Sequence, residues 1–412
     1  MSSHPTVSIC IPTWNRERLV VDALDSALGQ VGDVDFEVLV VDNASTDATV
    51  DVARQFARRD ARVRVVCNPE NIGCYPNYAR CLEEATGDYI KFLNSDDVLH
   101  PDALARMVPL LGDPGISLVT AGTRLVDLGG TELPLEWWAA PPVETDARIP
   151  GPALADLCLV RSVNHVGSAT STLFRRADVQ PDQVGWFGGH WFGHAGDVAT
   201  WMHLLGRGDT AFLAAPVADT RMHPGAGGLE PDNVVVRRLD WFYLVTGGAA
   251  AGFLRDPRLH RAALVNTVRS LADAPELVDA TPWTAQVTHA LVIGSRELSR
   301  VHGTGTPGRR TYVTTPDWDD EPALRSVLDA WIDAFPGDSE VELVVPCDIR
   351  KLDVGAAHAR LTSLLDRMGR DPATIPDVVV QAVAGPLPLG DKQVTAWFAA
   401  GTGAAQLAGA GS

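Results

Sequence analysis

Residues 87–97, GDYIKFLNSDD, decide the fold of this chain. Tyr89–Leu93 is a short, mostly apolar run after a Gly-Asp turn, the pattern of a buried strand. Asn94-Ser95-Asp96-Asp97 follows at its exit. Two adjacent carboxylates are not expected to face a core, because burying unpaired charge costs several kcal/mol or more. They are expected to open onto a crevice, where hard oxygen ligands suit Mg²⁺ or Mn²⁺. A second acidic strand exit, Asp42, stands upstream after Phe36–Val41.

Around this stretch the first 120 residues alternate strand and helix signals. Val7–Ile11 reads as a strand, Arg16–Leu28 as a helix with Leu19, Ala23, Leu24, Ala27 and Leu28 on one face, and Phe36–Val41 as a second strand. Ser45 is placed to cap a helix carrying Val50, Ala53, Phe56 and Ala57. Arg62–Cys67 is a third strand, Pro76–Ala85 a helix, Pro101–Leu111 another, and Ile116–Thr120 a further strand. This order predicts a mostly parallel sheet with helices on both faces. Ligands in such sheets bind outside the carboxyl ends of the strands, where strand order reverses. Pro12–Arg16, Asp42–Asp47 and Asn94–Asp97 all stand at such ends.

Farther along, 129–224 is rich in Gly, Pro and Trp and reads as loops around a site, with a helix at Val198–Leu205 and a strand at Thr210–Ala215. Trp186, Phe187, Trp191 and Phe192 either wall an acceptor site or form the loop's own small core. Helical periodicity covers 226–302, and 303–310 reads as a linker. A small α/β domain follows over 303–400, with strands 311–315, 341–345 and 377–382 and helices 322–335 and 355–368, then an Ala/Gly-rich tail, 401–412, expected to be disordered. That domain's task is open between homodimer formation, acceptor contacts and support of the first domain.

The chain has 412 residues and a formal charge of −18, which argues against nucleic acid as a partner. No apolar run reaches the roughly 18 residues needed to span a bilayer, and the N-terminus has no signal-peptide pattern. The expectation is a cytoplasmic protein without an integral membrane span. The six cysteines form no CxxC pair and read as buried thiols.

The pieces SICIPTWNR (8–16), VVDNASTD (40–47), 71–97, GDVATWMHLL (196–205) and RMH (221–223), in this order and spacing, resemble the family 2 glycosyltransferases of the GT-A fold. The resemblance covers residues 1–225 and implies a Rossmann-like GT-A domain there. It implies that Pro12, Thr13 and Asn15 line a nucleotide pocket, that Asp42 meets the base or ribose, and that Gly73 and Asn77 lie along the nucleotide. It further implies Asp96 on ribose, Asp97 on a diphosphate-bound divalent cation (Mn²⁺ or Mg²⁺), Asp197 as general base, and His223 as a second metal or diphosphate contact. Two positions depart from the family's habit: Gly196 stands where an acid usually precedes the base, and Pro76 where a basic residue often stands.

Such a site suits sugar transfer from a nucleotide-diphosphate donor to an acceptor not identified by the sequence. The cation takes charge on the leaving diphosphate, and a carboxylate deprotonates the acceptor hydroxyl. One base opposite the leaving group implies inversion. The alternatives are an inactive sugar-nucleotide-binding scaffold, which Gly196 keeps open, and a nucleotidyltransferase, disfavoured because Pro12–Arg16 is not a Gly-rich basic triphosphate loop.

Overall fold

The computed structural model describes residues 7–223 and 233–272, a few helical positions between 286 and 297, and the stretches 310–313, 321–334, 341–348, 354–369, 377–383 and 394–397. The expected linker (apart from Arg310) and the tail 401–412 lie outside the described residues. The chain divides into two compact units, Met1–Arg255 and Asp256–Ser412. The boundary falls later than the expected 225, because a helix at Asn233–Ala250 belongs to the first unit.

In the first unit the strands are β1 Val7–Thr13, β2 Phe36–Asp42, β3 Val63–Cys67, β4 Tyr89–Phe92, β5 Val98–Leu99, β6 Ile116–Ala121, β7 Arg124–Val126, β8 Ala147–Ile149, β9 Leu173–Arg175, β10 Trp186–Phe187, β11 His190–Trp191, β12 Asp209–Leu213 and β13 Ala218–Arg221. The helices are α1 Val20–Leu28, α2 Thr49–Arg59, α3 Cys74–Glu84, α4 Ala103–Met107, α5 Gly151–Arg161, α6 Gly196–Leu205 and α7 Asn233–Ala250. One sheet runs β3-β2-β1-β4-β9-β6-β12-β8. β1 to β4 are mutually parallel, β12 is parallel to β6, and β9 and β8 run antiparallel to their neighbours. A small sheet, β5-β13-β7, holds the chain just past β4.

Every residue of β1 is buried, as a strand covered on both faces requires. Val7, Ile9 and Ile11 pack with Val20, Ala23, Leu24 and Ala27 of α1 and Ala53 of α2. The other face meets α3, whose Asn77 amide donates to the Val41 carbonyl at 3.0 Å. Two helix starts differ from expectation. α1 begins at Val20, and α2 at Thr49, because residues 14–17 and 45–48 are used to bind one loop to the other.

The second unit holds helix α8, Pro257–Ala272, and a four-stranded parallel sheet made of β14 Arg310–Val313, β15 Val341–Asp348, β16 Asp377–Val383 and β17 Val394–Trp397, in the order β16-β15-β14-β17. Helices α9, Glu321–Ala334, and α10, Val354–Arg367, contribute Leu324, Leu328, Trp331, Leu361 and Leu364 to its core. β17 is the strand the apolar pattern did not announce.

Leu24 is fully buried between α1 and the sheet. Leu24→Ala is expected to lower unfolding free energy by about 2–5 kcal/mol, against about 0.5 kcal/mol or less for the exposed Asp51→Ala. Urea unfolding followed by circular dichroism measures both, and equal midpoints would contradict this packing.

Candidate active site

β1 lies between β2 and β4, so connections leave it in both directions and a crevice opens at the carboxyl ends of these strands. Thr13 and Asp42 are register partners at that edge, next to Pro12. Asp42 is 1 % exposed, and its Oδ2 accepts the Ser45 N–H at 2.9 Å. Its Oδ1 and the Thr13 Oγ1 are buried without a hydrogen-bond partner. Buried polar atoms are nearly always paired, so two orphans at adjacent strand tips mark a place that a polar ligand completes.

The walls of this pocket are tied by side chains. Asn15 adopts a left-handed backbone (φ 52°), its N–H donates to Ser45 Oγ at 2.9 Å, and its Oδ1 accepts the Thr46 N–H at 2.8 Å. Asp47 accepts from both the N–H and the hydroxyl of Thr49 at the start of α2, so it, rather than Ser45, serves the helix end. An asparagine network fixes the opposite wall. Asn43 donates to Asn71 Oδ1 and the Gly73 carbonyl, Asn68 donates to Asn43 and Asn77, and Asn77 donates to Val41. Asn43, Asn68 and Asn71 were not singled out from sequence. Their density over 43–77 was the available signal.

At the exit of β4 the two acids diverge. Asp96 turns outward: its Oδ2 lies 3.2 Å from His223 Nε2 and 3.6 Å from Arg16 Nε. Asp97 turns inward and is 1 % exposed, correcting the expectation that both carboxylates face the crevice. Its Oδ2 accepts from Thr170 Oγ1 at 2.5 Å and Asn94 Nδ2 at 3.1 Å, and its Oδ1 accepts the Arg221 N–H at 3.0 Å. Burial, with the charge of Asp96 beside it, holds the Asp97 carboxyl well above the usual carboxylate range. Below it Lys91 is fully buried, donates to the carbonyls of Phe92 and Thr170, and is pushed down to about 7 by burial. The run read as apolar thus contains a buried amine.

Asp96, and not Asp97, is therefore the acid paired with His223. Among the described residues no group of three His, Cys, Asp or Glu side chains gathers as a closed metal site. The Asp96 carboxylate still fits an open site, since Mg²⁺ is commonly held by one or two carboxylates with substrate phosphates completing its shell.

Asp197 stands in the first turn of α6. Its Oδ2 accepts from Asn164 Nδ2 at 2.9 Å and its Oδ1 from the Val198 N–H at 2.7 Å. Burial pushes its carboxyl up to about 6 despite these donors, with the Asp240 charge adding to the rise. The loop before it is clamped from two sides. Tyr75 of α3 donates to the His194 carbonyl at 2.6 Å, and Asp240 of α7 accepts the N–H groups of His194 and Ala195 at 2.7 and 2.9 Å. Rings of Tyr75, Tyr78, Phe92, Phe174 and Trp201 follow one another at centroid separations of 6.2, 4.9, 5.9 and 5.9 Å, joining α3 to α6 through the sheet. Gly196 has a steric cause, because a Cβ there would lie 2.5 Å from the Tyr75 ring. Asn164, Asp240 and Tyr75 were missed from sequence, having no motif of their own.

Cys10, Cys81 and Cys158 are buried, but Cys67 and Cys74 are exposed, correcting the expectation of buried thiols at those two positions.

Residues 8–180 match the profile of the family described as Glycosyl transferase family 2. The chain is 28% identical over 208 residues to TuaG of Bacillus subtilis, which bears the name of a teichuronic acid biosynthesis glycosyltransferase, covering 50% of this chain and 75% of that protein. It is 37% identical over 131 residues to the succinoglycan biosynthesis protein ExoO of Rhizobium meliloti, covering 31% of this chain and 36% of ExoO. Among solved structures, S. aureus TarS 1–349 in complex with UDP-GlcNAc superimposes with a TM-score of 0.53 at 17% identity, covering 89% of this chain and 93% of that one. The same protein in complex with UDP gives 0.52 at 18% identity, covering 73% and 84%. The fold of the first unit is thus of GT-A type.

Asp97→Ala would leave the Thr170 hydroxyl, the Asn94 amide and the Arg221 N–H without their acceptor. A loss of about 3 kcal/mol or more in unfolding free energy is expected, with a smaller loss for Asp97→Asn. Denaturant midpoints within error of the parent for Asp97→Ala would refute the inward assignment.

Proposed function

We propose that the first unit, a family 2 glycosyl transferase domain of GT-A fold, moves a sugar from a nucleoside-diphosphate donor to an acceptor hydroxyl in a divalent-cation-dependent, inverting reaction. The observation that carries this reading is the pair of buried, unpaired oxygens at adjacent strand tips, Thr13 Oγ1 and Asp42 Oδ1, to which it adds two further carboxylates, Asp96 and Asp197. One carboxylate belongs to the donor side, with His223 and Arg16 near it. The other, in the first turn of α6, is raised to about 6 and held by Asn164.

In this reading the unpaired oxygens of Asp42 and Thr13 take the base or ribose. Pro12, Asn15, Gly73 and Asn77 shape the pocket around it, the last three through the loop bonds described above. Asp96 and His223 would hold Mg²⁺ or Mn²⁺, with Asp97 fixing the turn that presents Asp96. The bound cation supplies Lewis-acid stabilisation of the leaving diphosphate. Asp197 takes the proton of the acceptor hydroxyl, whose oxygen attacks the anomeric carbon. The new C–O bond forms on the face opposite the breaking C–O bond to the diphosphate, so configuration inverts. A carboxyl near 6 is a better proton acceptor than an exposed aspartate and remains ionised at neutral pH.

Several measurements test the proposal. Nucleoside diphosphate release from UDP-GlcNAc, UDP-glucose, GDP-mannose and dTDP-glucose with Mn²⁺ identifies the donor, and a cognate diphosphate at 100 times its dissociation constant stabilises by about 2.7 kcal/mol in thermal unfolding. No binding and no turnover with any of them would defeat the reading. Asp197→Asn is expected to slow transfer about 10²–10⁴-fold, and NMR of the product should show the inverted anomer. Because the Asp197 carboxyl is raised, its protonated, inactive form persists up to about 6, so transfer falls as pH drops through that value. Asp240→Asn keeps an acceptor oxygen for the loop but removes a charge, moving that limb to lower pH. A limb that stays in place would remove Asp240 from the site's electrostatics.

A further inference from the structure

The hairpin of β10 and β11 sorts its aromatics by face. Phe187 and Phe192 are 7% and 0% exposed, and Phe187 packs on His203 and Phe253. Trp186 and Trp191 are cross-strand partners and remain 46% and 40% exposed. The buried pair anchors the hairpin, so the two indoles are not needed as its core. Their backbone is nonetheless firmly placed. The Trp186 carbonyl meets His203 Nε2 at 2.8 Å. Gly185, at φ +74°, sits so close that a Cβ would lie 2.9 Å from Tyr75 Cβ and 3.0 Å from the Trp191 ring.

This exposed pair borders the candidate base. The Trp191 ring meets Tyr75 edge-on at 6.0 Å, and the Tyr75 ring fills the space above Gly196, the neighbour of Asp197. Exposed aromatic area in a fixed geometry beside a reaction site is a mark of ligand contact. The indole planes are inclined by 57° with centroids 5.7 Å apart. A flat aromatic ligand asks for parallel faces. Successive pyranose rings of a glycan turn at each glycosidic bond, and their C–H faces suit indoles set at an angle.

We propose that Trp186 and Trp191 form an acceptor subsite that stacks two consecutive pyranose rings of an oligosaccharide, delivering its terminal hydroxyl toward Asp197. This rests on the reading of Asp197 as the base and adds the acceptor class to it. As an acceptor subsite it acts on acceptor binding and not on the donor.

The test uses the full chain, with chitotetraose and cellotetraose as glycan probes and p-nitrophenol as the flat aromatic probe, in saturation-transfer NMR and fluorescence titration. Expected are binding of a tetrasaccharide about tenfold tighter than to Trp191→Ala or Trp186→Ala, near-parental binding by Trp191→Tyr, and unchanged affinity for UDP or the cognate diphosphate in every variant. Circular dichroism and thermal midpoints confirm folded variants, and Trp191→Tyr covers the case in which an alanine variant fails to fold. Equal tetrasaccharide binding by parent and alanine variants, binding by neither tetrasaccharide, or binding of p-nitrophenol alone would overturn the subsite. Failure of the transferase reading looks different: no donor turnover, or an Asp197→Asn variant as active as the parent.

Discussion

The buried carboxylate of Asp97 is the constraint on which the site depends. It draws together the end of β4, the turn at Thr170 and the backbone of β13, three segments far apart in sequence. A buried acid is tolerated only when its oxygens are met by donors, and here they are met by an amide, a hydroxyl and a backbone N–H. Lys91 beneath it ties the same Thr170 turn to the sheet through carbonyl acceptors. With Asp97 held inside, the peptide at 96–97 has one orientation available, and Asp96 faces His223.

The crevice has two halves built by different means. One half uses loops at the tips of parallel strands, joined by Asn15, Ser45 and the asparagines at 43, 68, 71 and 77. The half carrying Asp197 uses a helix end, and that end is held by Asn164, Tyr75 and Asp240. Asp197, Asp240 and α7 all lie beyond residues 8–180, where the family match ends. Asp197 and part of its support therefore come from chain outside the matched residues.

Tyr75 links a local departure in sequence to a change in packing. Gly196 directly precedes Asp197, and the phenol ring fills the space which a larger side chain there would need. The hydroxyl of the same residue holds the His194 carbonyl, so the loop leading to Asp197 gains a fixed contact from α3.

The strand tips at 12–13, 42 and 94–97 were legible in the sequence, because apolar runs of strand length ending in Asp, Asn or Thr report the parallel sheet and the edge where its ligands bind. Asp197 was legible as an acid opening a helix. Which of two neighbouring acids turns outward was not, since Asp96 and Asp97 are the same residue type and differ only in what surrounds them. Nor could spacing reveal Asp240, Asn164, Thr170 or the pairing of Trp186 with Trp191, whose partners are brought near only by the folded chain. Local pattern thus determined the elements and their polar ends, through hydrophobic periodicity and the cost of burying charge. The tertiary structure alone decided which side chains meet, because hydrogen bonds and ring contacts depend on distances in space that sequence separation does not record.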